Sequence, residues 1–95
     1  MYLHLGQDTV ITFEEILGIF DLEATTVSKA TRDYLAAATK GGRVVNVSFD
    51  LPKSFVVCRN KDGGTTVYIS PISPSTLLKR SKIGLKTAEK KTDIK

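Results

Sequence analysis

Thr25-Thr26-Val27-Ser28-Lys29-Ala30-Thr31-Arg32-Asp33-Tyr34-Leu35-Ala36-Ala37-Ala38-Thr39-Lys40-Gly41-Gly42 is the stretch of this 95-residue chain from which the fold is read. Thr25, Thr26 and Ser28 are all competent N-caps, because a short hydroxyl side chain satisfies a backbone N–H left open at a helix start. Lys29 to Lys40 then runs without proline or glycine. Val27, Ala30, Tyr34, Leu35 and Ala38 recur at three- and four-residue spacing and so predict one apolar stripe. Arg32 and Asp33 fall on or near the opposite side. Gly41-Gly42 ends the segment, since glycine takes the left-handed conformation without a Cβ clash. One amphipathic helix is expected, with its stripe, Tyr34 included, packed on a sheet.

The flanking segments supply that sheet. Met1 to Leu5 alternates in the period-two manner of a half-buried strand, and Gly6-Gln7-Asp8 provides a turn into the β-rich Thr9–Phe13. Ile16 to Phe20 is apolar throughout apart from Gly18, which predicts a strand buried on both faces, with Gly18 allowing a close backbone approach. Beyond the helix, Val44–Val47, Phe55–Cys58 and Thr66–Ile69 read as three more strands. Asn60-Lys61-Asp62-Gly63-Gly64 between β-branched runs is a hairpin signal. Ser73-Pro74 places an N-cap before a proline at the first helical position and starts a short helix to about Arg80. The fold class is α+β: a small sheet of about six short strands, one packed amphipathic helix and a short C-terminal helix. One domain is expected over residues 1–81, followed by a basic, disordered tail over 82–95.

Composition narrows the function. The chain is 41% hydrophobic and 25% charged, with net charge +4. Seven bases and two acids lie between Lys79 and Lys95, against seven bases and eight acids before them, so a nearly neutral body precedes a basic tail. No apolar stretch approaches the roughly 20 residues that span a bilayer. The N-terminal residues lack a basic region followed by an apolar one, so a cytoplasmic location is expected. Cys58 is the single cysteine and has no internal partner for a disulfide.

Catalytic constellations are scarce. His4 is the one histidine, which excludes a multi-histidine metal site within one chain. Cys58 ends an apolar run and reads as a buried, inert thiol. Glu14-Glu15 sits in a turn between strands rather than as a paired acid and base. Gly63-Gly64-Thr65-Thr66 lacks the lysine and spacing of a phosphate-cradling loop. Neither an enzyme nor a cofactor or metal site is expected. The bases offer the better signal: Lys29 and Arg32 share a helix face at i, i+3, Lys53 lies in a strand-joining loop, and Lys79-Arg80 end the short helix. All five are candidate phosphate contacts.

Met1-Tyr2-Leu3-His4-Leu5-Gly6, Ile19-Phe20-Asp21-Leu22-Glu23, Leu51-Pro52-Lys53-Ser54-Phe55 and Val67-Tyr68-Ile69-Ser70-Pro71-Ile72-Ser73 resemble the RemA/RemB-like extracellular-matrix regulatory proteins of Bacillus-type bacteria. The likeness covers residues 1 to about 81. It implies a DNA-binding regulator of biofilm-matrix genes, acting as a ring-like homo-oligomer with a fold akin to LytTR-type DNA-binding domains. Of the arginine-bearing loop that looks like the DNA contact in the RemA branch, Asp50-Leu51-Pro52-Lys53-Ser54 keeps Lys53 as its base, and Arg32 and Arg80 keep basic character elsewhere. Tyr2, Leu3 and Leu5 on the first strand are expected to pair with a neighbouring subunit's sheet. The partners expected are DNA and further copies of the chain, without a membrane. The alternative is a homo-oligomeric regulator that contacts another regulatory protein and does not bind DNA directly.

Overall fold

The computed structural model describes residues 2–25 and 28–80. The caps proposed at Thr26, the end of the apolar stripe at Val27 and the lysines of 82–95 lie outside the described residues. Gly6 and Gln7 both take positive φ, 124° and 49°, and the reversal they make carries β1 (Tyr2–Gly6) into β2 (Thr9–Thr12). The pair is antiparallel, with Leu3 opposite Ile11 and His4 opposite Val10. Alternation then sorts the side chains: Leu3, Leu5 and Ile11 are buried, while Tyr2, His4 and Val10 face outward.

A single 3-10 turn, Phe13–Glu15, leads into β3 (Ile16–Asp21). The remaining elements are α1 (Leu22–Thr25), α2 (Lys29–Lys40), β4 (Val44–Asn46), β5 (Ser54–Arg59), β6 (Thr65–Ser70) and α3 (74–80). Four strands form one sheet in the order β3-β5-β6-β4, antiparallel except for the β4–β6 pair. The six strands thus fall into two sheets, and the α+β class is as expected. The 60–64 turn also forms, closed by Asn60 N–H to Gly64 O at 2.7 Å, with Gly63 at φ 91°. Ser73 caps α3 through its hydroxyl, which accepts from Thr76 N–H at 3.3 Å.

Burial on both faces belongs to β5, not to 16–20. Ser54 through Cys58 are all buried, because β5 lies inside the sheet between β3 and β6. β3 is an edge strand, and Leu17 and Phe20 remain 54% and 40% exposed. Its register slips between Ile16, opposite Cys58, and Gly18, opposite Val57, which makes Leu17 a bulge residue. A long apolar run is compatible with an interior strand or with an edge whose surplus apolar side chains have another purpose.

The two faces of β5 anchor two cores. Phe55 and Val57 pack with Val67 and Ala38 under α2. Val56 and Cys58 pack with Leu3, Leu5, Ile11, Val47 and Leu77 beneath the β1–β2 hairpin and α3. α2 and α3 therefore lie on opposite sides of the sheet. α2 begins at Ser28, whose hydroxyl accepts from Thr31 N–H at 3.4 Å. It meets the sheet through Leu35 and Ala38, while Ala30 and Tyr34 stay exposed. The expected packing of Tyr34 on the sheet is corrected here. Its flank of the helix overhangs the edge strand β3 and finds no further strand to cover it.

Candidate nucleic-acid interface

Each of the five predicted phosphate contacts has a definite place. Lys29 opens α2 and forms an ion pair with Asp33, four residues on, at 2.9 Å, with both side chains largely exposed. Arg32 is exposed one turn along the same helix. Lys53 ends the loop before β5, and its backbone is pinned twice: its N–H donates to Ser70 O at 2.9 Å, and its carbonyl accepts from Leu22 N–H at 3.0 Å. Its side chain is thus an exposed cation on fixed main chain. Lys79 and Arg80 end α3, where the Arg80 guanidinium donates to His4 O at 3.0 Å.

These positions do not converge on one patch. Lys29 and Arg32 belong to the α2 side of the sheet, Lys79 and Arg80 to the opposite side. Lys53 sits at the end of the sheet where Leu22 leads into α1 and towards α2. Arg43, at the start of β4, is engaged locally, its guanidinium donating to Thr65 Oγ1 at 2.9 Å.

The predicted subunit contact divides as well. Tyr2 is 71% exposed, but Leu3 and Leu5 are 1% and 0% exposed and belong to the core. Strand alternation, which marked them apolar, is what turns them inward. Two carbonyls of β1 are also taken within the chain, His4 O by Arg80 and Leu5 O by the Ser70 hydroxyl at 2.6 Å.

Among the described residues no group of three or more His, Cys, Asp or Glu side chains is arranged to hold a metal ion. Burial pushes the Cys58 thiol up to about 11, with a smaller contribution from Glu15, so it is protonated at neutral pH and unsuited to nucleophilic work. Glu15 is held below the ordinary glutamate range, first by the Thr12 backbone N–H and then by the Thr12 hydroxyl, both at 2.8 Å from Oε1. That carboxylate fastens the turn between β2 and β3. Burial also raises Tyr68. No described helix is long and apolar enough to cross a membrane.

Sequence reasoning missed the apolar surface. Phe49 is fully exposed and Leu51 81% exposed, in the loop between β4 and β5. Their signal was present: two large apolar residues alternate with Ser48, Asp50 and Pro52 where no strand or helix can absorb them.

No protein-family model matches the chain. A curated relative does: extracellular matrix regulatory protein B of Bacillus subtilis (strain 168) is 38% identical over 82 residues, which cover 86% of this chain and 91% of the relative. The chain belongs to the extracellular matrix regulatory protein B family. That membership agrees with the four sequence blocks that carried the resemblance. Within the family fold as seen here, these blocks form β1, the end of β3 with the start of α1, the approach to β5, and β6 with the entry to α3.

Proposed function

We propose that this chain regulates extracellular-matrix production by binding DNA as a ring-like homo-oligomer. The observation that carries the reading is the 38% identity to a protein named as an extracellular matrix regulator, over nearly the full length of both chains. The arrangement of cations supports the oligomeric part. One subunit presents a few bases on separate elements, too sparse for strong binding alone, whereas copies arrayed around a ring repeat each base along a duplex and multiply modest affinities. Lys53 and Arg32 are the leading phosphate contacts in this reading, because both are exposed on fixed elements on or adjoining the α2 side.

A second reading, regulation by protein contact without direct DNA binding, draws on a separate observation. At least two of the five cations are engaged within the chain, Lys29 with Asp33 and Arg80 with His4 O. The test is binding of purified protein to matched promoter and random duplexes at several salt concentrations. The DNA reading expects affinity that falls linearly in log–log form with salt. Absence of binding at low salt, from a protein that is oligomeric by light scattering, selects the second reading.

A further inference from the structure

Two apolar features are left partly uncovered in a single chain, the first of them on the α2 side of the sheet. The first is a groove of about 310 Å³ between α2 and the edge strand β3. Leu17, Phe20 and Tyr34 form its walls, and Phe55 and Val57 its floor. The bulge in β3 brings Leu17 to this face, where strict alternation would have sent it to the other. The second is the loop bearing Phe49 and Leu51. It is held in place at both ends, by Val47 N–H to Ile69 O at 3.0 Å and Lys53 N–H to Ser70 O at 2.9 Å. Its bend is fixed by Asp50 N–H to the Ser48 hydroxyl at 3.0 Å. Two large apolar side chains are thus held out in water on fixed backbone.

Their placement is complementary. The groove follows the β3–β5 side of the sheet, and the loop crosses the end of β6 on its way from β4 to β5, with Phe49 beside Asn46, Ile69 and Pro71. A projection at the end of the sheet and a recess along its β3 edge are separate sites, so each copy can give a projection and receive one. That is a heterologous contact, which closes into a ring or continues as a filament.

We infer that the Phe49–Leu51 loop of one copy seats in the Leu17–Phe20–Tyr34 groove of the next. This rests on the homo-oligomer reading and names its contact, replacing the side chains of Leu3 and Leu5. Taken together, the five side chains expose roughly 600 Å². That is about half of the 1,200 Å² at the lower end of stable interfaces before any polar rim is counted. Asp50, exposed between Phe49 and Leu51, argues for a protein groove rather than anionic lipid, whose phosphates repel a carboxylate.

The full chain, Phe49→Glu and Leu17→Glu are compared by light scattering at micromolar concentration. Both substituted side chains are more than half exposed, and thermal melts check that the variants fold. Wild type is expected above dimer mass, and each variant monomeric, with association at least tenfold weaker. An equimolar mixture of the two variants is the decisive sample. The intact groove of one accepts the intact loop of the other, so a 1:1 heterodimer forms and grows no further. Variants that assemble like wild type, or a mixture that stays monomeric, overturn this contact and leave the homo-oligomer reading standing. A monomeric wild type overturns both.

Discussion

The Phe20 ring stacks on Phe55, with centroids 4.9 Å apart and planes 19° from parallel, and it does so by lying across Gly18. A Cβ at position 18 would come within 2.7 Å of the far edge of the Phe20 ring. Gly18→Ala therefore displaces the ring and loses the stack, a loss of about 1 kcal/mol. In a Phe20→Ala background there is no ring to displace, and alanine in a strand interior is then favoured over glycine. A urea-denaturation double-mutant cycle is expected to give a coupling of about 1 kcal/mol. Equal effects of Gly18→Ala in the two backgrounds would show that the ring does not depend on the glycine.

Ser70 joins the hairpin to the main sheet. Its hydroxyl donates to Leu5 O at 2.6 Å and accepts from Ile72 N–H at 3.1 Å, in a fully buried position. Ser70→Ala leaves both main-chain groups without this partner and is expected to cost about 2 kcal/mol. Ser54→Ala, which removes a bond to Ile72 O, offers a comparison at the neighbouring strand. A Ser70→Ala loss under about 0.5 kcal/mol would mean that the surroundings re-satisfy Leu5 O.

On α2 the two central large residues are predicted to behave differently. Leu35 packs against the Phe55–Val67 core, so Leu35→Ala should cost about 2 kcal/mol. Tyr34 is 37% exposed, and Tyr34→Ala should cost less than about 1 kcal/mol. The comparison belongs in the Phe49→Glu background, where the inferred contact between copies is absent. Equal losses would restore the rotation of the helix expected from its sequence.

That difference marks how far the sequence could be read. Helix caps, glycine turns and the alternation of β1 were legible because each depends on residues close together in the chain: Ser28 at α2, Ser73 at α3, Gly63 in the hairpin. Which apolar run becomes the interior strand was not legible, because Ile16–Phe20 and Phe55–Cys58 look alike until strand order places β5 inside and β3 at the edge. The Asp21 side chain accepts from Ala24 N–H at 3.0 Å and caps α1, a turn too short for any periodicity to announce. As for the site, the bases were identifiable one by one. Their separation onto two sides of a sheet follows from the crossing of α2 and α3 over opposite faces, which no local spacing encodes.

Titration separates two buried or bonded groups by sign. Glu15 is lowered from its ordinary value of 4.5, so its contribution to stability is present above that value and is lost as pH falls through the lowered one. Glu15→Gln should flatten the acid side of a stability–pH profile while moving the neutral value little, since the amide oxygen still accepts from Thr12. Cys58 is raised from 9.0 to about 11, so its contribution is full below 9.0 and is lost as pH rises through 11. At pH 8 the native thiol should react with a thiol reagent about a hundredfold more slowly than the unfolded chain. Equal rates would place Cys58 within reach of solvent.

DNA binding, finally, is predicted to use one side of the sheet. A straight duplex lying against one subunit cannot touch α2 and α3 together, because Val57 beneath one and Cys58 beneath the other point in opposite directions from β5. Lys53 adjoins the α2 side through its bond to Leu22. Arg32→Ala and Lys53→Ala should each weaken binding and reduce the log–log salt slope by about 1. Lys29→Ala should do less, because Asp33 already neutralises part of its charge. Lys79→Ala should leave the slope unchanged. Arg80→Ala is a poor probe of phosphate contact, since it also releases His4 O. Salt titrations of the four informative variants on matched duplexes decide the matter. A reduced slope for Lys79→Ala with wild-type slopes for Arg32→Ala and Lys53→Ala would move the interface to the α3 side.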